Sequence, residues 1–274
     1  MIKINNNFNL YNTITCGQIF RYEINDNKYL LYLEDRMVLI EEYNDCLVIT
    51  SSNEDNLLNV INYYLGLNTD YDKINNNLLL MDKSLDNIIK SSIGFRIMNT
   101  PKLETIVSYM ASANNTVKNI ANSINLLSIK YGTPCYFQDK TYYLFPKLDK
   151  LKELSINDYK ECKLGFRSKY IYDFIQNISY EDINNIDNMN TSDAIDYLMS
   201  FKGIGLKIAS CILLFGYKRF SVFPIDTWVK KYMMDNYGIA DINKIKEYAT
   251  NKYGEYSGLA IQYMFHSKRN KALH

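Results

Sequence analysis

Histidine is almost missing from this chain of 274 residues: His266 and His274 are the only two. The five cysteines, Cys16, Cys46, Cys135, Cys162 and Cys211, lie far apart, and no CxxC pair occurs. Zinc sites and iron–sulfur clusters need closely spaced Cys and His sets, so no metal centre is expected. The odd number of thiols points to a reducing compartment. An excess of one charge is missing too, because 31 basic and 30 acidic side chains leave a net charge of +1. A nucleic-acid partner would therefore have to meet local basic patches rather than a global surplus. No run of about 18 apolar residues is present to cross a membrane. The opening stretch "MIKINNNFNLYN" lacks the apolar core of a signal peptide. A cytoplasmic monomer without a membrane partner is expected.

What is present is a chain with 47% hydrophobic residues, long enough for one large domain or two to three small ones. Asn, Ile, Tyr and Lys abound, and Asn doublets recur throughout, which reads as a compositional bias. "KYLLYLE", "MVLIEEY" and "CLVITSS" are short β-branched and aromatic segments separated by Asp35-Arg36 and Asn44-Asp45, the pattern of an antiparallel meander. From Asn53 the period changes, and Leu57, Leu58, Ile61 and Leu65 fall at helical spacing. After residue 85 the chain reads as almost wholly helical. Thr100 is the expected N-cap of one helix, with Pro101 at its first position. Thr191 or Ser192 caps another, and Gly132 and Gly216 end two more. The fold class is α+β. Residues 1–95 form an N-terminal antiparallel β-sheet domain with flanking helices, and residues 96–274 form a mostly α-helical, two-lobed body.

Within that body, "FKGIGLKIASC" puts Gly203 and Gly205 in a connection too short to have structure of its own. Glycine permits positive φ and close backbone approach. The helix that follows presents unpaired N–H groups, which attract a phosphate. Residues 192–216 or so therefore read as a helix-hairpin-helix, although an ordinary tight turn between helices fits the glycines as well. Lys207 falls in the first turn of the second helix, where the dipole disfavours an ammonium. That is odd for a structural lysine and apt for an amine that must be neutral to attack. Cys211, four residues on, shares its face. Pro224 sets an extended approach to Asp226, an N-cap for the next helix. The 19 residues from Lys207 to Asp226 allow one helix and a return loop, bringing carboxylate and amine together.

The segment "FKGIGLKIASCILLFGYKRFSVFPIDTWVKK" resembles the hairpin, loop and aspartate signature of the helix-hairpin-helix DNA glycosylase superfamily, and within it the 8-oxoguanine DNA glycosylase/AP lyase branch. "TITCGQIFRYE", "SANNTVKNI", "KLGFRSKYI" and "GLAIQYMF" are similar to further elements of that branch and follow in family order from about residue 9 to 269. The resemblance implies an enzyme that flips 8-oxoguanine out of duplex DNA. It implies Lys207 as nucleophile at C1′ of the deoxyribose and Asp226 as stabiliser of the charge developing there. A Schiff base and β-elimination then nick the strand. The Gly17 carbonyl accepts from N7–H of the lesion and repels the N7 lone pair of guanine, a difference worth roughly 1–3 kcal/mol. Phe265 and Cys211 flank the base. Asn114, with Asn115, fills the gap left by extrusion, Arg167 meets the orphaned base and Phe166 wedges beside it. Gly203 and Gly205 grip a phosphate, and Trp228 packs near a phosphate or buries its ring. No cofactor is implied, although in the family the hairpin carbonyls can hold a structural cation.

Two departures from the family pattern stand out. The Gln that commonly reads the Watson–Crick edge aligns with Ile261. Gln262 is one place later, and one residue turns a helical side chain by about 100°, so it is not expected to substitute. An arginine that reads the orphaned cytosine aligns with Asn119, which lacks a charged, forked donor set, so relaxed opposite-base preference is expected. Excision of alkylated bases, or a non-catalytic helix-hairpin-helix DNA-binding module, are the alternatives. The first typically needs no lysine, and the second would leave Lys207 and Asp226 without a task.

Overall fold

The structure is a computed structural model that describes residues 1–5 and 8–273, with side chains as far as Ser267. His274 lies outside the described residues. The expected meander is present as β3 (Lys28–Tyr32), β4 (Met37–Glu42) and β5 (Cys46–Ser51). Two short strands not anticipated, β1 (Ile2–Asn5) and β2 (Tyr22–Asn25), extend it to a five-stranded antiparallel sheet of order β1-β5-β4-β3-β2. Both alternate apolar and polar over only four residues, too short a run to stand out among the asparagines. Leu31, Val38, Ile40, Leu47 and Ile49 fill one face of the sheet. They pack against Leu57, Ile61 and Tyr64 of the helix Leu57–Tyr64.

The chain beyond residue 85 is not wholly helical. β6 (Pro134–Phe137) and β7 (Lys140–Tyr143) form a hairpin, and its Phe137, with Leu144 just beyond, packs on Leu30 and Met37 of the large sheet. Its turn residues Gln138 and Asp139 both have positive φ, 50° and 57°. That is the turn which matches strand twist, formed here without the Asn-Gly or Asp-Gly signal that usually announces it. Two helix starts also differ from expectation. Pro101 is itself the extended N-cap of Lys102–Ala111, while the Thr100 hydroxyl donates to the Phe215 carbonyl at 2.9 Å. Neither Thr191 nor Ser192 caps Thr191–Met199; the Asn190 side chain does, accepting from the Asp193 N–H at 2.9 Å. In both cases an adjacent residue offered the better acceptor or the required extended backbone.

The sheet and the helices meet around residues 16–21. The Gln18 amide donates to the carbonyls of Thr13 and Arg96 and accepts from the Met98 N–H. Arg21, 2% exposed, pairs with Glu104 on the helix Lys102–Ala111 at 3.0 Å. These bonds carry Gly17 from the N-terminal part to the face of the helical body. The second fixed junction is the start of the helix Ser257–Leu273. A Cβ on Gly258 would lie 2.7 Å from Leu214 Cδ1 and 2.9 Å from the carbonyl oxygens of Phe220 and Val222. Only glycine lets this helix press on the backbone that leads to Asp226. Gly258→Ala should destabilise the protein by about 1–3 kcal/mol through overpacking, read as a lowered urea midpoint at unchanged m. An unchanged midpoint would show that the loop yields without cost.

Candidate active site

The helices Thr191–Met199 and Leu206–Gly216 flank the glycine turn, and the two glycines differ in what they do for the fold. Gly203 has φ +92°, and a Cβ there would lie 2.7 Å from the Tyr170 side chain, so the fold itself demands glycine. A Cβ on Gly205 would meet nothing within 4 Å. Gly205 is the N-cap of the lysine helix and has no side chain to cap it, so the exposed helix start faces outward. Lys207 stands exposed in the first turn.

The return loop is held by Arg219, which donates to the carbonyls of Asp187 and Met189 at 2.8 and 2.7 Å. The loop ends at Asp226, whose extended backbone and side chain cap the helix Thr227–Tyr237, with Oδ1 accepting from the Val229 N–H at 2.9 Å. The amine and the carboxylate thus come to one cavity of about 300 Å³, as the spacing suggested. Gly17, Cys211, Phe265, Asn115 and Trp228 line the same cavity. Burial raises the Asp226 carboxyl above its ordinary range, against the pull of the Val229 amide and the Lys207 charge. Burial likewise pushes the Cys211 thiol up to about 11, so this cysteine is an inert, neutral wall of the cavity.

Both Ile261 and Gln262 line the cavity, and Gln262 is only 7% exposed. The helix runs past the cavity so closely that two consecutive positions border it. Tyr109 and Phe20 were not found from sequence, since one Tyr among 25 in the chain carries no signal. Tyr109 lines the cavity and donates its hydroxyl to the Gly17 carbonyl at 2.8 Å.

The Asn-Asn segment borders the cavity. Asn114 is exposed with φ +49°, a left-handed conformation that Asn tolerates. Asn115 donates to the Ala111 carbonyl at 3.0 Å and accepts from the Thr116 N–H at 2.9 Å, splicing two helices. Arg167, expected to reach an orphaned base, is only 9% exposed. Its guanidinium donates to the carbonyls of Ala113 and Asn114, each at 2.7 Å, and lies 4.5 Å over the Phe166 ring. It buttresses the Asn114 turn. Phe166 itself is 58% exposed. Among the described residues no His/Cys/Asp/Glu cluster could hold a metal ion, and no helix is long and apolar enough to cross a membrane.

Residues 1–106 match the family model of the 8-oxoguanine DNA glycosylase N-terminal domain. A probable N-glycosylase/DNA lyase of Methanothermobacter thermautotrophicus is 30% identical over 217 residues, 71% of this chain and 70% of that protein. The Clostridium acetobutylicum 8-oxoguanine glycosylase/lyase, solved with duplex DNA carrying cytosine opposite 8-oxoguanine, superposes with a TM-score of 0.91 at 34% identity. That match covers 97% of this chain and 93% of the other. The chain belongs to the 8-oxoguanine DNA glycosylase/lyase family. The same α+β fold extends more widely. The Archaeoglobus fulgidus 3-methyladenine DNA glycosylase superposes with a TM-score of 0.80 over 98% of this chain and 99% of that one, at 18% identity, a likeness of fold alone.

The raised Asp226 carboxyl predicts a stability cost with a defined pH dependence. A carboxyl raised in the folded state contributes stability that is full below its unfolded value of 3.8 and is lost as pH rises through the folded value. Asp226→Asn keeps an equivalent cap and removes the buried charge. Its Tm should exceed that of the wild type at neutral pH, and the gap should shrink as pH falls through the carboxylate range. A gap independent of pH, or of opposite sign, would remove burial as the cause.

Proposed function

We propose that this chain excises 8-oxoguanine from duplex DNA and then nicks the strand, as a bifunctional glycosylase/lyase of base-excision repair acting in the cytoplasm at the nucleoid. The observation that carries the reading is the shared cavity of Lys207, Asp226 and Gly17. The exposed Gly205 turn approaches a phosphate beside the flipped nucleotide, and free N–H groups with the helix dipole favour the anion. That a Cβ on Gly205 would meet nothing within 4 Å, so that packing does not demand glycine there, supports a role outside the fold. Asn114 enters the gap left by the base, held at its turn by Arg167, and Phe166 wedges beside it.

With the nucleotide flipped, the amine of Lys207 attacks C1′ as the glycosidic bond breaks, and the base leaves with the bonding pair and the proton that the attacking nitrogen sheds. Asp226 stabilises the positive charge on the sugar in a site where electrostatics are strengthened by burial. The sugar ring opens to a Schiff base with Lys207, and loss of a C2′ proton expels the 3′ phosphate. Phe265 and Cys211 flank the base, with Gln262 close to it, and Trp228 packs at the mouth. No cofactor is needed for these steps. Backbone carbonyls such as those of the glycine turn are oxygen ligands of the kind a hard cation takes, and such an ion would support the backbone without entering the chemistry. The pairing of amine and carboxylate favours this reading over excision of alkylated bases, which typically needs no lysine.

Borohydride added to the protein with 8-oxoguanine duplex should trap a covalent adduct that Lys207→Gln abolishes while binding persists. Absence of an adduct with the intact protein would remove the lyase mechanism. Opposite-base preference gives a second check. Asn119 is exposed in the first turn of the helix Val117–Tyr131, and without a charged donor at that position the enzyme should show a relaxed preference for cytosine over thymine, guanine or adenine opposite the lesion. Asn119→Arg should restore selectivity for cytosine by about 1.5–3 kcal/mol in single-turnover excision, the worth of a hydrogen bond from a charged group. No gain in the variant would remove Asn119 from that role.

A further inference from the structure

Tyr109 takes no part in the steps above, yet it is bonded to the group that, on that reading, distinguishes the lesion from guanine. Its hydroxyl donates to the Gly17 carbonyl at 2.8 Å. The ring cannot swing away. It stacks on Phe215 at 5.6 Å between centroids with an interplanar angle of 12°, and it meets Phe20 edge-on at 5.6 Å and 73°. Burial keeps the phenol protonated by raising it well above its ordinary range, so the hydroxyl is a constant donor.

Gly17, in contrast, needs restraint. Its φ of +92° lies where glycine has most freedom. The Gln18 side chain is anchored on both sides, to Thr13 and Arg96 and to the Met98 N–H. None of those bonds is made by the Gly17 carbonyl, which accepts from Tyr109. A carbonyl oxygen has two lone pairs, so one can be held while the other meets a ligand.

We propose that Tyr109 is a positioning residue for lesion specificity: its hydroxyl fixes the direction of the Gly17 carbonyl, so that the remaining lone pair meets N7–H of 8-oxoguanine and opposes the N7 lone pair of guanine. The inference rests on the 8-oxoguanine reading above. Without the hydroxyl the carbonyl can rock away from the repulsive contact with guanine and no longer greets the lesion in the same place.

Tyr109→Phe removes the hydroxyl and keeps the clamped ring. Two ratios test it. The first is single-turnover excision of 8-oxoguanine opposite cytosine divided by borohydride trapping on a duplex with an abasic site, where there is no base to read. The second, measured on Lys207→Gln and on Lys207→Gln with Tyr109→Phe, is the Kd for a guanine duplex divided by that for an 8-oxoguanine duplex. Each ratio should fall about tenfold on loss of the hydroxyl, the worth of one well-placed hydrogen bond. A parallel loss on lesion and abasic duplexes would reduce Tyr109 to a packing residue and overturn the proposal, as would a preserved or increased preference in the second ratio. Failure of the substrate reading looks different, because the protein with Tyr109 intact would then trap on abasic DNA but show no preference for 8-oxoguanine over guanine.

Discussion

A carboxylate and an amine, 19 residues apart in the chain, must share one cavity although burial disfavours the charge of the first. The tertiary structure around them is organised to hold that pair. The lysine sits on a helix that begins at an open glycine turn, and the aspartate sits where a helix would need a cap in any case. The local bond from Asp226 to the Val229 amide fixes the carboxylate without any partner from the cavity. One residue thereby satisfies a helix start with one oxygen and keeps the second outside that bond.

The return loop between them makes that economy possible. Arg219 pins it from one side through backbone carbonyls, and the start of the helix Ser257–Leu273 presses on it from the other at Gly258. That same helix carries Gln262 and Phe265 past the cavity. The element that presses on the aspartate's loop therefore also supplies part of the cavity wall, so the two are registered to each other by packing. On the opposite wall the N-terminal part contributes Gly17, carried in by the buried bonds of Gln18 and Arg21. The sheet thus shapes the site at a distance, by presenting one short loop to the helical body.

The residues around the Asn-Asn turn show how a charged side chain can act through the backbone. Arg167 holds the carbonyls of Ala113 and Asn114 and stacks on Phe166. Its fork geometry suits two converging acceptors, and it stabilises the left-handed conformation of Asn114. A net charge of +1 is compatible with a DNA partner, because backbone amides at a helix start and a few placed side chains can bind phosphate without a bulk positive charge.

Much of this was legible in the chain. The meander from Lys28 to Ser51, the glycine turn, the cap at Asp226 and the meeting of Lys207 with Asp226 followed from periodicity, capping chemistry and spacing, which are local properties. The two outer strands and the Gln138-Asp139 hairpin did not follow, because four-residue strands and turns without their usual residues gain their stability from the surface they cover. The caps at Pro101 and Asn190 differed by a residue or two because neighbouring groups compete for the same helix end. The role of Arg167 as a buttress, the reach of Gln262 into the cavity and the bond from Tyr109 to Gly17 were decided only by tertiary structure. Each depends on how closely two distant segments approach, and spacing along one segment carries no information about that distance.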